Sequence, residues 1–327
     1  MAAKHGTFVA LPTPFTAQRG LDEGALEHLI SYLSERKQVG GFALSTEAAE
    51  DELLTFDERL LIVRMVGKRK RDDHSLLVRI ADFASRQAAD FAKQAEDAGA
   101  TVLTIRLPRL PGVGYRELYR HVDYISRAVS VPVLLDQGIS DGLQSLQIEE
   151  LETLVQHPRL GGVVTQTPHA SDLKLWERRL ADREEFMLLA GSSLDVVEMT
   201  ESGATGRICG HYLLMPELAD EIIEAFIGGE VGKARKLQMK MAPARAILSP
   251  AARADNPGGL KKLTSKLASR ALEEKALPSH FSPAMIKATL HLQGHPVRAD
   301  VRSPYETLKG ERLEKFAQQL RRTGVLV

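Results

Sequence analysis

One cysteine, Cys209, stands in a chain of 327 residues. That excludes an intrachain disulfide and any zinc cluster built from cysteines, and it makes a reducing cytoplasm the expected compartment. An excess of charge of one sign is missing too: 43 lysines and arginines face 43 aspartates and glutamates. A dedicated nucleic-acid or anionic-membrane binder carries a basic excess, so neither partner is expected. No apolar run approaches the roughly 20 residues that span a bilayer. The first six residues lack the apolar stretch of a secretory signal, so a soluble, intracellular, unprocessed protein is expected. Nucleotide fingerprints are absent as well. Gly112-Val113-Gly114 comes nearest, and it reads as a turn because no third glycine follows.

What is present is an alternation of short apolar runs and longer amphipathic stretches. The runs are Thr7–Leu11, Gly41–Leu44, Leu76–Ile80, Thr101–Ile105, Val131–Leu135, Gly161–Val164, Phe186–Leu189 and Gly206–Cys209. Several are rich in valine, isoleucine and leucine without a polar face, the pattern of parallel strands buried on both sides. Asp22–Arg36 repeats Leu26, Leu29, Ile30 and Leu33 at helical spacing, and Ser85–Ala98 does the same through Ala88, Phe91, Ala92 and Ala95 before Gly99. Each run followed by a helix predicts an α/β fold, a (βα)8 TIM barrel. A doubly wound open sheet would carry glycines in its first βα turn; here that turn is Pro12-Thr13-Pro14-Phe15. The barrel is expected over residues 1–216. Residues 217–327 are expected to form a C-terminal helical region that includes the last barrel helix. Its helices are read at Pro216–Phe226, Val231–Met241, Lys261–Leu272, Pro283–Leu292 and Lys309–Arg322.

Specific residues then narrow the reading. Thr7-Phe8-Val9-Ala10-Leu11-Pro12-Thr13-Pro14-Phe15 followed by Gly20-Leu21-Asp22 resembles the opening of the dihydrodipicolinate synthase / N-acetylneuraminate lyase family. Later landmarks keep the same order: Val39-Gly40-Gly41, Leu54-Thr55, Ala98-Gly99-Ala100, Val131-Pro132-Val133 and Ser282-Pro283-Ala284-Met285-Ile286-Lys287. The resemblance spans nearly the whole chain, with an apparent insertion near 249–280. It implies a lyase barrel in which a sixth-strand lysine forms a Schiff base with a 2-oxo acid. It also implies a proton-relaying tyrosine on the fifth strand and a Gly-Thr-Thr loop after the second that holds the substrate carboxylate.

The matching positions here carry other residues. The lysine position falls on Val164, or on Thr165 with a one-residue slip. The tyrosine position is Asp136, and the family's following arginine falls near Asp141. Ungapped, the two threonines become Glu47 and Ala48; a gapped match uses Ser45 and Thr46. The aromatic pair after the fourth strand becomes Arg109-Leu110. The expectation is a divergent member that lacks the Schiff-base set.

Barrel enzymes draw their functional groups from strand C-termini and the loops beyond them. The candidates are Thr13, Glu47, Glu50, Asp82, Arg106, Arg109, Asp136, Gln137, Thr165, Gln166, His169, Ser192 and His211. Asp136, Glu47 and His211 are assigned to catalysis. Facing carboxylates raise one another's pKa, and a histidine moves protons near neutral pH. Thr13, Arg106, Arg109, Thr165 and Ser192 are assigned to substrate binding, the arginines as forks for a carboxylate. Strand-end carboxylates also serve simply as partners for a neighbouring arginine, and a lone histidine is often structural. No cofactor is expected. A divalent ion held by carboxylates with His169 or His211 is a weaker variant, since no HxH or HExxH spacing supports it. The expected partner is a small oxo acid or other carboxylate, and the assembly a homodimer or homotetramer. The alternative is a catalytically inactive member serving as a binding or assembly protein.

Overall fold

A computed structural model describes residues 6–44, 46–108, 110–136, 148–165, 174, 176–178, 183, 186–191, 196–201, 203–248 and 282–326. The predicted helix over 261–272 and the insertion near 249–280 lie outside these residues. Eight parallel strands close into a barrel in sequence order: β1 (Gly6–Ala10), β2 (Val39–Leu44), β3 (Ser75–Ile80), β4 (Val102–Arg106), β5 (Val133–Asp136), β6 (Leu160–Thr165), β7 (Met187–Gly191) and β8 (Gly206–Cys209). The helices are α1 (Glu23–Ser34), α2 (Phe56–Arg69), α3 (Ser85–Asp97), α4 (Tyr115–Ser126), α5 (Ile148–Val155), α6 (Val196–Glu201), α7 (Pro216–Ile227), α8 (Val231–Leu248), α9 (Pro283–Leu292) and α10 (Gly310–Arg322). The expected TIM barrel is the observed fold. Among the described residues, no helix is long and apolar enough to cross a membrane.

Local chemistry sets where the elements begin. The Asp22 side chain accepts the Ala25 N–H at 3.0 Å and starts α1. Thr55 and Glu58 form a reciprocal capping box that starts α2. The fifth strand, expected from Val131, begins at Val133, because Pro132 has no N–H to give a ladder. The helix expected over Val231–Met241 runs on to Leu248 with Pro243 inside it. The lost hydrogen bond would have gone to the carbonyl of Met239, which stands on the exposed side of the helix.

The core has two compartments. One lies between the strands and the surrounding helices, where Val78, Ile80, Leu103, Ile105, Leu135 and Val163 meet the inner helix faces. The other fills the barrel and contains Phe8, Ala43, Leu77, Val102, Leu134, Val164 and Leu189. Adjacent strands are staggered by one residue at each step around the barrel, so alternate strands supply each interior layer. Phe8 of β1, Leu77 of β3, Leu134 of β5 and Leu189 of β7 close one such layer. The layer beneath is mostly glycine for a steric reason. A Cβ on Gly162 would stand 2.8 Å from Leu134 Cγ, and one on Gly206 3.0 Å from Leu189 Cδ2. Backbone stands as close or closer, with Ser75 O 2.0 Å from a Cβ on Gly41 and Met187 O 2.4 Å from one on Gly162, so glycine here admits both the neighbouring strand and the large side chains above.

Candidate functional site

Above the Phe8 layer, towards the strand C-termini, the interior changes character in two steps. The first step is Ala43, Thr104, Val164 and Ile208, contributed by β2, β4, β6 and β8. The second is Ala10, Arg79, Asp136 and Gly191, from β1, β3, β5 and β7. An apolar floor with one hydroxyl therefore lies under a layer that carries one positive and one negative side chain. Arg79 is 5% exposed and Asp136 4%. Burying a single charge costs several kcal/mol, of order 5, and opposite signs in one layer offset that cost. None of the eight strands contains a lysine.

The sequence-predicted residues divide into three groups. Asp136 is the candidate that reaches the charged layer. Thr13 is buried just past β1, and His211 is buried in the short turn His211–Leu213 just past β8. The second group is engaged elsewhere. Thr165 is fully buried but alternates with Val164, so it lies with Val163 on the helix side of β6 and not in the barrel. Arg106 ends β4 and donates to Glu52 at 2.7 Å. Asp82 accepts both prongs of the Arg59 guanidinium, at 2.7 and 3.0 Å. Burial alone would lower the Arg59 pKa; the hydrogen bonds to Asp82 and the charge of Asp51 raise it above its ordinary value. Asp82 is thus a partner for a neighbouring arginine. Third, Arg109, Gln137, Gln166, His169 and Ser192 lie outside the described residues. The backbone of Glu47 opens a short 3-10 turn, Glu47–Ala49, after β2; its side chain is not described.

Glu50 has a role the sequence did not indicate. It is 2% exposed with a left-handed backbone, φ 55°. Its carboxylate accepts from Lys287 Nζ and, at 2.7 Å, from the Arg302 backbone N–H. Lys287, on α9, also donates to the Asp300 carbonyl at 3.1 Å and stands 3.8 Å from the centre of the Phe15 ring. Burial pushes the Lys287 ammonium down to about 8, against the upward pull of Glu50. Arg302 stacks on Phe15 at 4.5 Å and donates to the Leu53 carbonyl at 2.9 Å and to Glu58 at 2.7 Å. The C-terminal segment thereby clamps the loops after β1 and β2 at the barrel mouth. Glu50 and Lys287 are structural partners, bound to each other and to the backbone of the 300–302 segment.

Arg79 was missed by sequence reasoning. It stands second to last in a run that looks like any buried strand, and nothing in the sequence says which of two alternating faces it occupies. The available signal is that it is the one charged residue in Ser75–Ile80. The arrangement can bind a small polar anion in a site shielded from water, where charge-assisted hydrogen bonds are strong. No group of three or more metal-ligating side chains occurs among the described residues.

Comparison with known proteins fits this fold. The model of the dihydrodipicolinate synthetase family matches residues 3–268. A 4-hydroxy-tetrahydrodipicolinate synthase from Stutzerimonas stutzeri is 24% identical over 323 residues, covering 98% of this chain and 99% of that one. Among solved structures, an N-acetylneuraminate lyase from Fusobacterium nucleatum superposes with a TM-score of 0.77 at 16% identity, over 100% of both chains. YagE from Escherichia coli K12, a prophage protein solved in complex with pyruvate, gives 0.80 at 20% identity over 98% of this chain and 99% of its own. With a closed eight-stranded barrel and a family model matched over most of its length, this chain belongs to the dihydrodipicolinate synthetase family.

Proposed function

We propose that this protein binds, and acts as a lyase or aldolase on, a small oxo acid or other small carboxylate without forming a lysine imine. The observation that carries the reading is the inward-facing Val164 under the charged layer of Arg79 and Asp136. A Schiff base needs an amine held where it can lose its proton and attack a carbonyl. At the position where the family resemblance puts that amine stands an isopropyl group. Among the described residues the buried lysine is Lys287, which is tied to Glu50, the Asp300 carbonyl and Phe15.

In its place the site offers ion pairing and proton transfer. Asp136 is the group suited to take or return a proton, and Glu47 and His211 are assigned to assist it from the loops after β2 and β8. Polarisation of the ligand falls to fixed charges rather than to an imine. Carbon–carbon bond cleavage or formation is the reaction class, by analogy with the lyases of the family. A homodimer or homotetramer is the assembly that accompanies this reading.

A thermal-shift screen tests it. The panel is small 2-oxo acids, 2-hydroxy acids, sugar acids and aldehydes. A ligand at 100 times its dissociation constant adds about 2.7 kcal/mol of stability. The expected outcome is a rise in melting temperature with at least one small acid, lost in Asp136→Ala. A panel that leaves the melting temperature flat favours the inactive, assembly-type member instead.

A further inference from the structure

We infer that Arg79 is the residue that receives the ligand's carboxylate, an inference that rests on the small-acid reading above and assigns its anchor. The barrel geometry makes the assignment. Leu77 faces the barrel interior while Val78 and Ile80 face the helices, so Arg79, two residues after Leu77, faces inward as well. Following the register from β3 to β5, Arg79 pairs with Thr104, Ile105 with Leu135, and the next residue of β5 is Asp136. The same stepping joins Leu77 to Leu134, and both of those belong to the interior cluster. Arg79 therefore stands in the layer above Val164, at the depth where a reacting ligand would meet the floor.

The other two members of that layer, Ala10 and Gly191, contribute almost no side chain. The layer is thus filled from one half of its circumference. Arg79 and Asp136 are nearly sealed from solvent, so only a ligand of few heavy atoms suits this depth. A guanidinium at such a place presents parallel N–H donors to a planar carboxylate. The floor below is apolar apart from Thr104, so the ligand's carbon end has an apolar surface to rest on. Arg106 stands one step nearer the rim, where it donates to Glu52 at 2.7 Å; depth in the barrel is what sets Arg79 apart from it.

The test is calorimetric titration of the full chain with pyruvate, 2-oxobutyrate, lactate and glycolate, and with pyruvamide and lactamide as neutral counterparts. Wild type is expected to bind at least one of the acids and neither amide. In Arg79→Gln the affinity for that acid should fall about 30-fold or more, the scale of losing one partner of a buried charge pair. Arg79→Lys, which keeps the charge and loses the fork, should fall between the two. Circular dichroism checks that each variant folds. If Arg79→Gln does not fold, Arg79→Lys carries the test alone, and a weakened affinity for the acid relative to wild type is expected there. Undiminished acid binding by the folded variant would overturn the assignment of Arg79 and leave the small-acid reading standing. A wild-type protein that binds none of the acids would overturn the small-acid reading itself, and the anchor with it. Amide binding equal to acid binding would show that no carboxylate is being recognised.

Discussion

Lys287 and Glu50 show how one residue pair decides local stability. Both side chains are fully buried. Such a pair contributes little over an apolar pair of the same volume, but breaking it leaves a bare charge inside. Lys287→Met is therefore expected to destabilise the fold by about 3–5 kcal/mol, with Lys287→Met/Glu50→Gln recovering a large part of that loss. Urea denaturation measures both. A single variant within about 1 kcal/mol of wild type would mean that water or another group relieves Glu50. The same scale explains what the sequence could not reveal about the site. Asp136 was legible because a fifth-strand position known from the resemblance fell on it. Thr165 was misjudged because one residue of shift moves a side chain from the barrel interior to the helix side. Arg79 was invisible because a strand that is apolar on both faces gives no alternation to read.

At the scale of elements, the strand register turns scattered residues into layers, and the clamp around Arg302 holds the mouth loops over them. The clamp carries a pH signature. Hydrogen bonds from Arg302 and from the Thr55 backbone hold the Glu58 carboxyl well below its ordinary value, at about 2. A carboxyl depressed in the folded state stabilises the fold above its unfolded pKa near 4.5. That contribution is lost as the pH falls towards the folded value. Melting temperature should therefore decline between about pH 4.5 and 2, and Glu58→Gln should be less stable at pH 7 with a shallower decline in that window. Parallel acid profiles of the two proteins would contradict the role of this ion pair. The elements themselves were largely readable from the chain: Gly206–Cys209 and Pro283–Leu292 have the boundaries that periodicity and proline position predict. The boundaries that moved did so for backbone reasons, at Pro132 and past Pro243, where a missing N–H counts for more than side-chain pattern.

Across the whole molecule, the closed barrel sets Arg79 and Asp136 in one interior layer near the strand C-termini. Apolar interior layers lie directly beneath these two residues, and packed surroundings of that kind are what a preorganised site draws on. The family resemblance also carries an expectation about assembly. Sedimentation velocity should give a dimer or tetramer at micromolar concentration, and a sharp monomer boundary would contradict it. Fold and family were legible in the sequence because they depend on pattern spread over the chain. Which side chains line the barrel interior was legible only in part, because it depends on which way a few of them face.

A site that works without a lysine imine leaves nothing for hydride to trap. The full-length protein would be incubated with pyruvate and sodium borohydride, and its intact mass measured. Borohydride reduces an imine to a stable amine, so any Schiff base becomes a permanent addition to the mass. The account predicts an unchanged mass under conditions where a lysine-bearing family lyase, run alongside, is fully modified. A stable pyruvate adduct mapped to any lysine of this chain would contradict it.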